Sequence, residues 1–293
     1  MNDDDPGFFA HPILSECKVA VLGLGLMGGS LALALRGHCL RILGYDPDPQ
    51  AVKLAGERQA VDQASGNLRA VLADADLVVL AAPVRAIIQL LGDLPNLHTG
   101  RPVVVDLGST KVDVVEAMAC LPDRFDPVGG HPMCGREKGS LAAADKDLFQ
   151  DRTFAFAALQ RTSERARRLV EELALAVGAH PLWLDVETHD RWTSASSHLP
   201  YLVSNALAAS TPGEAAPMVG TGFASATRLA ASPVEMMLDV VMTNRGNILQ
   251  AMAGFRERLD RIERCLAAGD DESLRELLRE GAAQRELLVP AVD

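Results

Sequence analysis

A histidine flanked by a glycine pair and a proline marks a stretch of this sequence with residue types suited to chemistry. His131 precedes Pro132 in the glycine-rich stretch Val128–Ser140. Pro132 biases His131 away from helix, and glycines allow the backbone to approach a ligand closely. Histidine is a common general acid or base because its pKa lies near neutral pH. The stretch predicts a catalytic His131 at a strand end or in a loop. The alternative is a histidine in a tight turn that bonds its own backbone.

A glycine fingerprint near the N-terminus predicts a dinucleotide site. The apolar run Lys18–Leu22 is followed by Gly23-Leu-Gly25-Leu-Met-Gly28, and the next predicted strand, Leu40–Tyr45, leads into Asp46. In a βαβ unit the first glycine makes the tight turn, the second admits the pyrophosphate, and the third lets the helix pack on the strand. An acid at this spacing bonds the ribose 2′-hydroxyl and repels a 2′-phosphate, which favours NAD over NADP. The predicted cofactor site comprises Gly23, Gly25, Leu26, Met27, Gly28, Asp46, Ala82, Pro83 and Gly108.

A serine follows a later predicted strand of the same domain. The apolar run Pro102–Leu107 delivers Ser109 at its C-terminal end. Ligands of open α/β sheets bind at the carboxyl ends of the strands. Ser109 and His131 are therefore both expected near the nicotinamide end of the cleft. For Ser109 the alternative is an N-cap of the helix Lys111–Cys120, and the two roles are compatible.

These residues need a parallel sheet to position them, and the chain alternates between strand and helix patterns up to residue 185. Unbroken apolar runs are typical of parallel strands that are buried on both faces. The pattern predicts an α/β fold, with a Rossmann-type domain over residues 1–185 that begins with a loose acidic tail, residues 1–16. Further strands are predicted over Leu77–Ala82, Thr153–Leu159 and Pro181–Leu184, and helices over Ser30–Arg36, Gln50–Gln59, Leu68–Leu72, Arg85–Leu91 and Ser163–Val177.

From about Val186 the alternation stops, and helical patterns rich in Ala, Leu and Met continue to the end of the chain. Residues 186–293 are therefore predicted to form an all-helical domain for substrate binding and dimerisation. If Trp192–Ser210 is helical, Ser197 and Tyr201 share a face and Pro200 kinks the helix. The amphipathic stretches beyond it, 235–266 as one or two helices and 273–288 as another, predict a homodimer through this half.

Composition limits the classes of function. The chain of 293 residues carries 28 Lys and Arg against 39 Asp and Glu, a net charge of −11. This balance argues against a nucleic-acid binder, although a few local cations can still hold an anionic substrate. The five cysteines are scattered without a CxxC pair, so no disulfide framework or zinc site is expected, and a reducing cytoplasm fits. An acidic N-terminus and glycines within the most apolar run, Val19–Leu35, argue against a signal peptide and a membrane span.

Four motifs occur in order along the chain: Gly23-Leu-Gly-Leu-Met-Gly-Gly-Ser-Leu31, Asp106-Leu-Gly-Ser-Thr-Lys111, Gly129-Gly-His-Pro-Met133 and Ser197-His-Leu-Pro200. Together they closely resemble the prephenate/arogenate dehydrogenase family of tyrosine biosynthesis, from about Lys18 to about Leu266. We expect no chorismate mutase domain ahead of this region. We also expect no regulatory ACT domain of the usual size in the stretch after Leu266.

The resemblance implies an oxidative decarboxylation of prephenate to 4-hydroxyphenylpyruvate. Hydride leaves C4 for NAD+, the hydroxyl proton is taken, and CO2 is lost as the ring aromatises. Because aromatisation drives the reaction, the protein mainly orients the substrate, holds its charges and accepts one proton. By match to the family motifs, His131 bonds the 4-hydroxyl and Ser109 helps to hold that hydroxyl and the nicotinamide. Arg228 is similar to the family's arginine for a substrate carboxylate, and its alternative is a surface or domain-interface ion pair.

Two departures from the family pattern concern the pocket for the substrate side chain, where Ser197 and Tyr201 are also expected. Some relatives have histidine at the position of Tyr201, and others carry an acid where this chain has Ser225. Both departures leave the choice between prephenate and arogenate open. Arogenate carries an ammonium group that needs a nearby carboxylate, and Glu137 is the candidate. The alternative for Glu137 is a salt bridge to a neighbouring cation.

Two other functions are alternatives to the one that the resemblance implies. A β-hydroxyacid or 6-phosphogluconate-type dehydrogenase also joins a βαβ opening to a helical domain, but it needs a catalytic lysine in the helical half. Residues 186–293 contain no lysine. A non-catalytic NAD(H) sensor would bind the cofactor without turnover and tolerate changes at His131.

Overall fold

A single twisted sheet forms the framework of the first part of the chain. The computed structural model describes residues 13–136 and 139–289. The strands are β1 (Lys18–Leu22), β2 (Arg41–Tyr45), β3 (Gln63–Ser65), β4 (Leu77–Leu80), β5 (Val103–Asp106), β6 (Asp126–Pro132), β7 (Thr153–Ala158) and β8 (His180–Trp183). Their order in the sheet is β3-β2-β1-β4-β5-β6-β7-β8. The pairs from β3 to β6 are parallel, β7 runs antiparallel to β6, and β8 is parallel to β7.

Helices cover both faces of this sheet. They are α1 (Leu26–Ala34), α2 (Pro49–Glu57), α3 (Leu68–Leu72), α4 (Val84–Leu97), α5 (Val112–Ala119) and α6 (Glu164–Ala176). Successive residues of β4 belong to different apolar clusters, Leu77 and Val79 to one and Val78 and Leu80 to the other. Because side chains alternate across a strand, the two clusters lie on opposite faces. Burial on both faces explains the unbroken apolar runs, and the predicted Rossmann-type α/β class is confirmed.

Several predicted boundaries differ from the observed ones. Helix α1 begins at Leu26 and not at Ser30, because the last glycines of the fingerprint form its first turn. Strand β3 escaped prediction because its three residues are polar or small. The tail prediction is wrong for its last residues, since Leu14–Glu16 form a 3-10 turn. Leu14 is buried there, and its amide donates to Glu172 at 2.9 Å.

Helices alone follow β8. They are α7 (Val186–Thr193), α8 (Leu199–Ser210), α9 (Thr221–Ala226), α10 (Val234–Thr243), α11 (Arg245–Ala268) and α12 (Asp271–Leu288). The stretch predicted as one kinked helix is interrupted by a π-helical turn, Ser194–His198, in which the Leu199 amide bonds the Ser194 carbonyl. Pro200 then lies in the first turn of α8, where its missing N–H leaves no helical bond unmade.

Two compact units divide the chain between Arg245 and Gly246. The second unit contains most of α11 and all of α12. The functional boundary expected near Val186 stays a prediction. Within the described ranges, no helix combines the length and apolarity needed to cross a bilayer.

Candidate active site

The glycine fingerprint forms a tight turn that only glycine can make. Gly23 has a φ of +106°, and a Cβ there would lie 2.3 Å from the Ala81 carbonyl oxygen. A Cβ on Gly28 would lie 1.9 Å from the Gly23 carbonyl oxygen. The turn therefore presses directly against the end of β4, where the predicted cofactor residues Ala82 and Pro83 follow. Pro83 is the N-cap residue of α4.

The N-terminus of α1 offers amides to an anion. Gly25 is the N-cap residue and has no side chain to satisfy them. The Leu26 amide donates to the Gly139 carbonyl at 3.1 Å, and the Leu26 side chain is buried in the core. By helix geometry the amides of Met27 and Gly28 have no partner inside the helix. These features fit a dinucleotide pyrophosphate.

Asp46 lies directly after β2, as predicted, and is half-buried. One carboxylate oxygen accepts from the Leu24 amide at 2.8 Å, and the other accepts from the Asp48 amide at 2.9 Å. These two bonds fix the carboxylate beside the glycine turn. Each oxygen keeps a further lone pair with which it can accept from a ribose hydroxyl.

The glycine pair before His131 serves strand packing. Both glycines lie within β6, and His131 pairs with Ala155 of β7, so the tight-turn alternative for His131 is wrong. A Cβ on Gly130 would lie 2.4 Å from the Asp106 carbonyl oxygen, and one on Gly129 would lie 3.2 Å from the Lys111 side chain. The glycines thus let β5 and its following loop approach β6 closely, two and three residues before the strand ends at Pro132.

A buried ion pair holds the loop that carries Ser109. The side chains of Lys111 and Asp106 are in contact with each other, and they are 1% and 0% exposed. The Asp106 carboxylate also accepts from the amides of Gly108 at 2.7 Å and Gly130 at 2.9 Å. Ser109 is half-buried between these anchors, and Gly108 packs against the pair. The loop is therefore fixed to β6 next to His131.

Asp190 caps helix α5 from a distant part of the chain. Its carboxylate oxygens accept from the amides of Lys111 at 2.8 Å and Val112 at 3.0 Å. Lys111, which has no side-chain cap, is the N-cap residue of α5, so the prediction of Ser109 as the N-cap is wrong. The amides at the start of α5 therefore donate to Asp190, and the Ser109 hydroxyl is not needed to cap this helix.

A series of hydrogen-bonded side chains begins at His131. Its Nδ1 lies 2.9 Å from Nε2 of His189, and Nδ1 of His189 lies 2.8 Å from the Asp190 carboxylate. The exposed fractions of His131, His189 and Asp190 are 8%, 2% and 0%. The three side chains form a buried row that begins at β6 and ends at the N-terminus of α5.

Burial determines the charge of this row. It holds the pKa of His131 well below 6.5, and the nearby His189, Lys111 and His198 act in the same direction. Burial alone would raise the pKa of Asp190, but hydrogen bonds from His189 and from the Val112 and Lys111 amides outweigh it and lower that pKa. At neutral pH His131 is therefore uncharged and Asp190 is ionised.

A third histidine lies beside the row. The Asn244 side-chain amide donates to the Asp190 carbonyl at 2.6 Å and lies 3.2 Å from Nδ1 of His198. Burial lowers the pKa of His198 to about 4. Its Nε2 is buried without a hydrogen-bond partner among the described residues. Asn244 thus connects the middle of α7, at Asp190, with His198 of the π-helical turn.

The predicted substrate residues lie on the helices that follow. Ser197 is half-buried in the π-helical turn, Tyr201 is buried in α8, and Arg228 is exposed at the start of the 3-10 turn Arg228–Ala231. The Ala230 amide donates to Ser204 of α8 at 3.0 Å, which holds the turn carrying Arg228 against the helix carrying Tyr201. Glu137 lies outside the described residues.

Several residues of this site are not predicted from the sequence, namely Lys111, His189, Asp190, His198 and Asn244. Lys111 and His198 belong to two of the four motifs, but the motifs alone assign them no role. The adjacent His189 and Asp190 stand where the strand–helix alternation ends, which was a usable signal. Their contacts span 58 residues to His131 and 79 residues to Lys111, so no local pattern announces them.

Comparison with known proteins decides the family. The prephenate dehydrogenase nucleotide-binding domain matches residues 31–182, and the prephenate dehydrogenase dimerization domain matches residues 185–280. The chain belongs to the prephenate dehydrogenase family. This confirms the resemblance derived from the four sequence motifs, and it removes the β-hydroxyacid alternative.

Members of the prephenate dehydrogenase family resemble the chain over most of its length. The prephenate dehydrogenase of Bacillus subtilis is 31% identical over 89% of this chain and 74% of its own length. The cyclohexadienyl dehydrogenase of Zymomonas mobilis is 25% identical over 91% of this chain and 94% of its own. A crystal structure of A. aeolicus prephenate dehydrogenase with hydroxyphenyl propionate and NAD+ has a TM-score of 0.86 and 28% identity, covering 94% of this chain and 99% of that one.

Proposed function

We propose that this protein catalyses the NAD-dependent oxidative decarboxylation of prephenate to 4-hydroxyphenylpyruvate in tyrosine biosynthesis. The observation that carries the proposal is a buried, uncharged His131 near the end of β6, in the sheet that also carries the dinucleotide turn, in a chain of the prephenate dehydrogenase family. A neutral imidazole can accept a hydrogen bond and a proton from a substrate hydroxyl. A non-catalytic sensor would not need such a group at the cofactor cleft.

The chain's own residues fit NAD. Gly23 and Gly28 shape the turn, and the amides at the start of α1 receive the pyrophosphate. Asp46 accepts from the adenosine ribose and disfavours a 2′-phosphate. NAD+ bound there would supply the acceptor for the hydride that leaves C4 of the substrate. The protein keeps the reacting carbon and the nicotinamide in register, which supplies much of the rate enhancement.

His131 and Ser109 act on the 4-hydroxyl. His131 accepts the hydroxyl proton as C4 is oxidised, and it returns that proton to the phenolic oxygen as CO2 leaves and the ring aromatises. Ser109, held by the loop anchored through Asp106 and Lys111, orients the same hydroxyl. Atoms and charges balance, because the only net transfer is hydride from prephenate to NAD+ with release of CO2.

The helical residues bind the rest of the substrate. Arg228 binds a carboxylate, for which its planar guanidinium is a bidentate donor. Ser197 and Tyr201 line the pocket for the side chain. Their support is the contact that joins the Arg228 turn to α8. Glu137 is the proposed carboxylate for the ammonium group of arogenate, the alternative substrate.

We further propose a cytoplasmic homodimer that uses the helical half. Support comes from the dimerization-domain match and from α12, in which no residue is buried although Leu278 and Leu287 are apolar. The five cysteines form no disulfide, which fits a reducing compartment. Small anionic molecules are the proposed partners, and the net charge of −11 disfavours nucleic acid. With no bilayer-crossing helix in the described ranges, no membrane partner is proposed.

Absorbance of NADH tests the function directly. Purified protein is mixed with NAD+ and either prephenate or arogenate, and each mixture is repeated with NADP+. We expect NADH and 4-hydroxyphenylpyruvate from prephenate, with little turnover of NADP+. Faster turnover of arogenate, with tyrosine as the product, would replace prephenate by the alternative substrate. Absence of turnover with both substrates would refute the proposed function.

A further inference from the structure

His131, His189 and Asp190 form a row of hydrogen-bonded side chains, and each bond in the row has a defined donor and acceptor. His131 contacts His189 through Nδ1, His189 contacts Asp190 through its own Nδ1, and Asp190 ends against two backbone amides. We propose that His189 and Asp190 form a positioning dyad, which fixes the tautomer of His131 and shares the positive charge that His131 acquires. This inference rests on the proposed function, because it assigns the support of the same proton acceptor.

The direction follows from donor counting. An ionised carboxylate only accepts, so Nδ1 of His189 must carry the hydrogen that bonds Asp190. In neutral His189 the other nitrogen, Nε2, is then an acceptor. Nδ1 of His131 lies 2.9 Å from it and must donate. His131 is therefore held as the Nδ1–H tautomer, which leaves the lone pair of Nε2 for the substrate hydroxyl.

The carboxylate stays ionised because the fold supplies its donors. The amides of Lys111 and Val112 point at it from the N-terminus of α5, the positive end of that helix dipole. Asp190 thus remains a fixed negative charge in a buried site. The cap of α5 and the support of His131 use the same carboxylate.

The surrounding charges explain why a dyad is needed. Among the described residues, the ionisable groups around His131 are Lys111 with its partner Asp106, His189 with Asp190, and His198. Lys111 and burial both destabilise a positive charge on His131. The negative charge of Asp190, which reaches His131 through His189, stabilises it. When the substrate proton reaches Nε2, the hydrogen on Nδ1 moves toward His189, and the charge spreads toward the carboxylate. The reverse movement returns the proton to the phenolic oxygen.

Two substitutions separate positioning from packing. His189→Phe keeps an aromatic ring but removes both nitrogens, so Nδ1 of His131 loses its acceptor. His189→Gln retains one acceptor and one donor group and can preserve the tautomer, although it cannot carry charge. His38→Gln is the matched control, because His38 is exposed and precedes β2, which is separated from β6 by β1, β4 and β5.

Nitrogen-15 NMR of the histidine side chains gives a readout that is independent of turnover. At neutral pH we expect His131 in wild type to be protonated on Nδ1 and unprotonated on Nε2. His189→Phe removes this preference, and His189→Gln retains it. An Nε2–H tautomer of His131 in wild type would overturn the dyad, and this result needs no variant to fold.

Kinetics supply the second readout. We expect His189→Phe to lower kcat about 10²- to 10³-fold, the order associated with loss of the orienting partner of a catalytic histidine. The KM for prephenate and the Kd for NAD+ should stay within about twofold, and His189→Gln should recover about tenfold of the lost kcat. Wild-type kcat in His189→Phe would also overturn the dyad. If wild type turns over neither substrate but shows the Nδ1–H tautomer, the proposed function fails while the positioning of His131 stands.

Discussion

At the scale of single residues, the Asp190 carboxylate both caps helix α5 and bonds the histidine next to His131. It accepts hydrogen bonds from two backbone amides at the start of α5 and from the imidazole of His189, and together these bonds outweigh the cost of burying its charge. A charged group with three donors is stable inside a protein, whereas the same group alone would not be. The position of His131 is therefore determined by the same contacts that stabilise the fold.

Asp46 allows a prediction about the choice of cofactor. Asp46→Asn keeps the size of the side chain and an oxygen that can accept from the Leu24 amide, but removes the charge. We expect the preference for NAD+ over NADP+ in kcat/KM to fall about 10- to 100-fold, since a hydrogen bond to a charged group is worth about 1.5–3 kcal/mol. Steady-state assays with both cofactors measure it. Glu57→Gln, an exposed carboxylate on α2 paired with Lys53 at 3.6 Å, is the control and should leave the ratio unchanged. An unaltered ratio in Asp46→Asn would remove Asp46 from the ribose site.

Residues within one local motif could be predicted from the sequence, and residues joined by tertiary contacts could not. Gly23, Gly28 and Asp46 belong to one βαβ unit with a fixed spacing, and the glycine turn and Asp46 occur where that spacing puts them. His189 and Asp190 meet His131 only after the sheet and α7 have formed. Their roles follow from distances that sequence spacing does not contain.

At the scale of elements, the shape of the glycine turn after β1 depends on how closely the backbones of α1, β1 and β4 approach one another. Helix α1 starts so near β1 and β4 that a methyl group on Gly28 would overlap both the Gly23 carbonyl and the Ala81 side chain. The same principle operates where β6 meets β5 at Gly130. Glycines in these elements act through packing rather than flexibility.

Two glycine substitutions with opposite effects test this view. Gly28→Ala should lower the free energy of unfolding by about 1–3 kcal/mol, because the added methyl overpacks the turn. It should also weaken NAD+ binding. Gly92→Ala is the matched control, since Gly92 lies inside α4 and a Cβ there would meet nothing within 4 Å. It should raise the free energy of unfolding by about 0.5–1 kcal/mol. Urea denaturation and NAD+ titration measure both effects, and equal behaviour of the two variants would contradict the packing account.

Helices and strands with strong apolar patterns were predicted well, and weakly patterned ones were not. The buried strands β1, β4 and β5 stand out by their Val- and Leu-rich runs. The polar β3 and the π-helical turn Ser194–His198 do not, because neither contains an apolar run. The glycine pair of β6 obscured a strand whose glycines are needed for packing.

At the scale of the whole molecule, the last two helices leave much apolar surface exposed. All of α12, and all of α11 except Ile248, remain at least partly exposed in the described chain. Leu266, Leu278 and Leu287 are 64%, 59% and 76% exposed. In proteins most of the stability of a helix comes from packing of its apolar face. The proposed second copy of the chain would cover these leucines.

A substitution at Leu278 tests the proposed homodimer. Leu278→Asp should shift the protein from dimer toward monomer, because an unpaired charge in an apolar interface costs several kcal/mol. Size-exclusion chromatography with light scattering gives the mass. Leu40→Asp is the control, since Leu40 is 62% exposed in the first unit, and it should remain dimeric. A monomeric wild type would refute the proposed dimer.

The most direct test of the central claim is the rate of NADH formation from prephenate by wild type and by His131→Asn. The variant keeps a polar side chain in β6 but cannot accept the hydroxyl proton. We predict that kcat falls by about 10²–10⁴-fold, with the KM for prephenate and the Kd for NAD+ nearly unchanged. A His131→Asn protein that forms NADH at the wild-type rate would contradict the account.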